Sequence, residues 1–155
     1  MEKMMLSKYK KCWIMVTDSR QARIFRYERP KNTLIQLSVK TSAQHWRLAK
    51  KLSQPASGRA FDRSGKGRHI IERHSGAEEK IERKFLKRLL SDLEKSARQG
   101  KFEHLVLIAD PRSLGHLREY SGGGLKKYII EEFPLDLAHV PTDDLSEHVG
   151  KLLHP

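Results

Sequence analysis

The sequence predicts an α/β fold, a mixed β-sheet flanked by helices, and three observations carry that reading. Residues 12–17 and 22–27 are short runs rich in β-branched and aromatic side chains, with a turn between them. Ile81, Phe85, Leu86, Leu89, Leu90, Leu93 and Ala97 recur at helical spacing within residues 76–99 and make one apolar face. Leu105, Val106, Leu107 and Ile108 form an uninterrupted apolar run, the pattern of a strand covered on both faces. At 155 residues the chain fits one domain, and all of 1–155 is assigned to it.

Asp18, Ser19, Arg20 and Gln21 supply a hairpin turn between the first two strands. A third strand is expected over 33–39, after the turn at Pro30, Lys31 and Asn32, which completes an antiparallel meander. Residues 43–52 have modest helical character through Trp46, Leu48, Ala49 and Leu52, until the run from Ser53 to Gly58 breaks it and opens a long loop. Ser75 and Glu78 form a capping-box pattern that starts the long helix at 76, and Gly100 stops it. After the buried strand at 104–109, Asp110 is a favourable N-cap and Pro111 suits the first helical position. That helix runs to Gly122, Gly123 and Gly124; a further helix is expected over 125–133, a short strand over 137–140, and a last helix capped by Thr142 through 153. Three hairpin-connected strands, a long crossover, and then alternating helix and strand give the mixed sheet.

The charge is strongly basic. Thirty-one Lys and Arg face 19 Asp and Glu, a net charge of +12, which points to a polyanionic partner. From Lys3 to Lys31 there are nine basic and two acidic residues, and from Lys40 to His74 again nine and two. The carboxyl end reverses this: Glu131, Glu132, Asp136, Asp143, Asp144 and Glu147 face only Lys151. A polarised molecule is expected, its basic side turned to the polyanion.

The most informative basic stretch is 59–73, a glycine-containing run directly before the long helix. Arg59, Arg63, Lys66, Arg68 and Arg73 are opposed only by Asp62 and Glu72, while Gly65 and Gly67 let the backbone approach a ligand closely. Guanidinium groups grip phosphate oxygens bidentately. His69 adds a titratable donor, and Phe61 and Trp46 flank the loop as stacking surfaces for unpaired bases. The plainer reading makes the loop a solvated surface segment and Trp46 a core residue. Arg59, Phe61, Arg63, Lys66, Arg68, His69 and Arg73 are the expected nucleic-acid-binding residues.

A lone Cys12 excludes an internal disulfide framework, and its place in an apolar run suits a buried thiol. The early apolar run at 12–16 is too short for a signal-peptide core or a membrane span, so a cytoplasmic chain is expected.

Four pieces carry a family resemblance: the hairpin from Trp13 to Phe25, the helix Glu78-Glu-Lys-Ile-Glu-Arg-Lys-Phe85, the segment Leu105-Val-Leu-Ile-Ala-Asp-Pro111, and the tail Leu137-Ala-His-Val140. In these the chain resembles, over nearly its whole length, the bacterial host attachment protein family, related to the middle domain of archaeo-eukaryotic peptide release factors and of Pelota-like rescue factors. The resemblance implies a release-factor middle-domain fold with a ribonuclease H-like arrangement. In release factors the loop before the long helix carries the Gly-Gly-Gln motif that positions water for peptidyl-tRNA hydrolysis. Here Ser64-Gly-Lys-Gly-Arg-His69 stands in its place and no Gly-Gly-Gln occurs, so that hydrolysis is not expected. What carries over is a basic loop suited to a site walled by ribosomal or transfer RNA.

Other constellations are weaker. Six residues rather than four separate Gly58 from Gly65, and Gly67 stands where a phosphate-binding loop needs Ser or Thr, so nucleotide hydrolysis is excluded there. Eight histidines show no metal-binding spacing, and no metal or cofactor is assigned. Asp18, Asp110 and Asp143 or Asp144 follow strand ends, where carboxylates can converge on a two-metal nuclease site. Each also suits a turn, an N-cap or a helix first turn. The leading expectation is a non-enzymatic, cytoplasmic RNA-binding or ribosome-associated protein. A host-attachment or host-interaction factor and a metal-dependent nuclease using Asp18, Asp110 and Asp143 are the alternatives.

Overall fold

A computed structural model describes residues 10–42 and 67–155, with side chains from residue 76 in the second stretch. Five strands form one sheet: β1 Cys12–Thr17, β2 Gln21–Glu28, β3 Thr33–Thr41, β4 His104–Ala109 and β5 Ile129–Pro134. Their spatial order is β3-β2-β1-β4-β5. The first three pair antiparallel, with Thr17 opposite Ala22 and Tyr27 opposite Leu34, as the meander reading expects. β4 joins β1 in parallel, Cys12 opposite His104 and Thr17 opposite Ala109, and β5 extends the sheet in parallel beyond β4.

The helices are α1 Gly67–Arg98, α2 Pro111–Tyr120, the single turn α3 Gly123–Lys126, and α4 Thr142–Leu153. One core layer joins Met15, Ile24, Leu105 and Leu107 to Phe85, Leu89 and Leu93 of α1 and to Leu114 and Leu117 of α2. The opposite layer joins Ile14, Val16, Phe25, Val106 and Ile108 to Leu145, Val149 and Leu153 of α4. Alternate residues of β4 thus enter both layers, the double coverage that its unbroken apolar run implies. Cys12 is fully buried, and burial pushes its thiol pKa up to about 12, so it is a packing residue.

Four expectations are corrected. The long helix begins at Gly67 rather than at 76, so Ser75 lies inside it and not at its N-cap. A Cβ at Gly76 would meet nothing within 4 Å. A mid-helix glycine costs only ~1 kcal/mol, which a nucleated helix tolerates. The end is as expected: Gly100 has φ 73°, and the bonds from Gly100 N–H to Ala97 O and Lys101 N–H to Ser96 O, both 3.0 Å, close a Schellman motif.

Residues 125–133 are not one helix, since α3 stops at Lys126 and Ile129–Pro134 takes the open side of β4 as a strand. Residues 137–140 are a turn closed by Val140 N–H to Leu137 O at 3.1 Å, and their apolar side chains pack under α4 instead of pairing. The N-cap of α4 is Pro141, not Thr142, whose hydroxyl accepts from Arg23 Nη2 at 2.9 Å. The Asp110 cap is as expected, its Oδ2 accepting from Ser113 N–H at 3.1 Å. The helix expected over 43–52 lies outside the described residues.

The carboxyl-terminal end of α4 is tied to the β2–β3 turn. Arg29 Nη1 donates to His154 Nε2 at 2.7 Å and to Asn32 Oδ1 at 2.9 Å, and the Tyr27 hydroxyl lies 2.9 and 2.7 Å from the same two acceptors. A guanidinium only donates, so Nε2 bears the lone pair and the imidazole is neutral. Burial, with the Arg29 charge adding to it, lowers the His154 pKa from its ordinary 6.5. The unfolded chain therefore binds this proton more readily, and stability should be retained above pH 6.5 and decline as pH falls below it. Urea midpoints measured from pH 7.5 to 5 test this against His154→Gln, which keeps an acceptor but does not titrate and should decline less. Equal slopes in the two proteins would remove His154 as the source.

Candidate polyanion-binding site

The edge strand β3 and the helix α1 diverge around an open groove of about 520 Å³, lined by Lys40, Thr41, Lys84, Phe85, Arg88, Leu89 and Asp92. Register explains why Lys40 faces the helix: it sits opposite Ala22, whose side chain belongs to the α1 layer. Its ammonium meets Asp92 Oδ2 at 2.5 Å. Lys84 and Arg88 follow one another by a helical turn, and Phe85 and Leu89, 6% and 1% exposed, form the floor beside them. Three cations against one carboxylate suit an anionic ligand.

Of the sequence-predicted binding residues, Arg59, Phe61, Arg63 and Lys66 lie outside the described residues, as does Trp46. Arg68, His69 and Arg73 stand on the first turns of α1, not in a loop, and only their backbone is described. Lys40, Lys84 and Arg88 were not among the expected residues. The i, i+4 placement of Lys84 and Arg88 beside apolar Phe85 and Leu89 was the readable signal; for Lys40 none existed short of its register.

The strand-end carboxylates resolve differently. Asp18 Oδ1 accepts from the backbone N–H groups of Arg20 and Gln21 at 2.7 and 2.8 Å, which builds the hairpin turn. Its Oδ2 lies 3.1 Å from His139 Nε2, and Gln21 Nε2 lies 2.8 Å from His139 Nδ1. With Gln21 donating to Nδ1, the Nε2–H of His139 donates to Asp18 Oδ2. Among the described residues, ligand atoms of Asp18, Asp136 and His139 lie within 4.8 Å of one another. Asp110 ends the strand beside Asp18, its Oδ2 engaged as a cap and its Oδ1 buried without a partner. Asp143, exposed in the first turn of α4, does not join that grouping.

The sequence profile of the family described as protein required for attachment to host cells matches residues 13–149. The chain belongs to that family. The host attachment match runs from β1 into α4 and so takes in both core layers, the groove and the Asp18–His139 contact. An uncharacterized protein of Rickettsia prowazekii (strain Madrid E) is 29% identical over 82 residues, 52% of this chain and 55% of that protein. The chain thus spans about half the length of the curated relative it matches. Among the described residues no helix is long and apolar enough to cross a membrane.

Proposed function

We propose that this member of the host attachment family is a non-enzymatic, cytoplasmic RNA-binding or ribosome-associated protein, its basic segment 59–73 standing where release factors carry Gly-Gly-Gln. The observation that carries the reading is the separation of charge across the sheet. The α1–α2 side exposes Lys80, Arg83, Lys84, Lys87, Arg88 and Arg112 against Glu119, whereas α4 on the opposite side exposes Asp143, Asp144 and Glu147 against Lys151. A polyanion is attracted to one side and repelled by the other. The strand order, three antiparallel strands followed by two parallel ones, supports the release-factor-like and ribonuclease H-like fold reading.

Binding of a fluorescent RNA across a salt series tests this reading. Each neutralised phosphate contributes roughly 0.7 to 0.9 to the fall of log affinity with log salt. Replacing Arg63, Lys66 and Arg68 together with Ala should flatten the slope by about two to three units with little change in melting temperature. An unchanged slope would remove that segment from the binding site.

A second reading, a factor for attachment to or interaction with a host, is favoured by the family's description. Sucrose-gradient fractionation of lysate separates the two, since co-sedimentation with ribosomes favours the first and recovery at the cell surface the second. RNA cleaved only with divalent metal present would instead favour catalysis through Asp18, Asp110 and Asp143.

A further inference from the structure

We propose that the β3–α1 groove seats the phosphate backbone of single-stranded RNA, with Lys84 and Arg88 as its phosphate contacts; this deepens the RNA-binding reading and rests on it. The partnering of charges, taken together with the lining of the groove, singles out these two residues. Arg83 is held by Glu79 and Arg98 by Glu94, each at 2.8 Å, and Arg112 reaches back to Glu82 at 3.4 Å. Lys40 is held by Asp92. Lys84 and Arg88 have no carboxylate partner among the described residues, yet both line the groove. As i, i+4 neighbours their Cβ atoms stand about 5–6 Å apart, so the two can grip one phosphate or adjacent ones.

Size decides the form of the nucleic acid. A volume of about 520 Å³ falls within the roughly 300–1,000 Å³ of small-ligand sites, enough for a nucleotide or two but not for a duplex. Phe85 and Leu89 close the bottom of the groove but are buried in the α1 core layer, so a bound strand is held by its phosphates rather than by stacking. Asp92, one turn beyond Arg88 on the same helix, fixes Lys40 and bars phosphate from that end of the groove, so the backbone meets the helix at Lys84 and Arg88. Arg73 lies farther up the same helix and on the same face, about 16 Å from Lys84 along its axis, where a bound strand would continue.

The test uses the full chain and a labelled oligouridylate 12-mer, with an RNA duplex of equal length and phosphatidylserine vesicles as competing probes. The Lys84→Ala/Arg88→Ala variant should lose about 1.4 from the salt slope, at roughly 0.7 per single-strand phosphate, which at about 0.1 M salt is roughly a 25-fold weaker affinity. Lys95→Ala/Lys101→Ala, an equal charge change at exposed positions outside the groove, should weaken binding several-fold less. An unaltered slope in the groove variant, or an equal loss in the control, would overturn the groove assignment while leaving RNA binding intact. Duplex bound as tightly as the single strand, or vesicles bound in preference to RNA, would overturn the choice of ligand. A wild-type chain that bound no RNA would remove the underlying reading as well.

Discussion

Leu89→Ala is expected to lower the free energy of unfolding by about 2–5 kcal/mol, the cost of a cavity at a fully packed site. Leu89 is 1% exposed and lies in the layer that also holds Phe85, Leu93, Leu105 and Leu107. Lys87, nearby on the same helix, is exposed, and its Nζ stands 4.8 Å from the Tyr120 ring centroid. Lys87→Ala therefore forfeits at most a surface cation–π contact of about 0.5–1 kcal/mol. Urea unfolding of the two variants measures the difference. Equal small effects would mean that α1 is not anchored to the sheet, and the groove would lose its wall.

Arg23→Ala should cost about 2–3 kcal/mol, with the loss concentrated at α4. The Arg23 guanidinium donates to the carbonyl of Val140, lies 3.5 Å from that of Ala138, donates to Thr142 Oγ1 at 2.9 Å, and stands 5.0 Å from the Phe25 ring centroid. One side chain thus fastens the turn that leads from β5 into α4. Hydrogen bonds to charged groups contribute about 1.5–3 kcal/mol, and their removal strands carbonyls in a partly buried place. Arg23→Lys should recover only part of the loss, because an ammonium lacks the fork that spans separate acceptors. Amide exchange should show α4 opening more readily while α1 and β4 keep their protection. A change under about 0.5 kcal/mol, or one spread evenly over the molecule, would contradict this role.

Elements whose determinants are local were legible in the sequence. Strands 12–17 and 104–109 have the expected bounds, and the Asp110–Pro111 start of α2 follows from cap chemistry contained in a few residues. The misreadings fall where a distant partner decides. Each residue of β5 from Ile129 to Phe133 is only partly buried, so no alternation marks it as a strand, and the open edge of β4 assigns it. Residues 137–140 have strand composition but pair with no strand among the described residues, and become a turn packed under α4. At the candidate site, Lys84 and Arg88 could be read as a charged helix face. Their meeting with Lys40 depends on the β2–β3 register and on α1 crossing that side of the sheet.

The two charged sides of the molecule are separated by the sheet and by two layers of packed side chains, roughly 20 Å if each layer is taken as about 10 Å. At physiological ionic strength the Debye length is about 8 Å, so each side presents its own field to an approaching partner and is nearly blind to the other. In about 0.01 M salt that length grows to roughly 30 Å, and the acidic α4 side then cancels part of the attraction exerted by α1. Diluting the buffer therefore strengthens each charge's reach and at the same time blurs the orientation in which the molecule is captured.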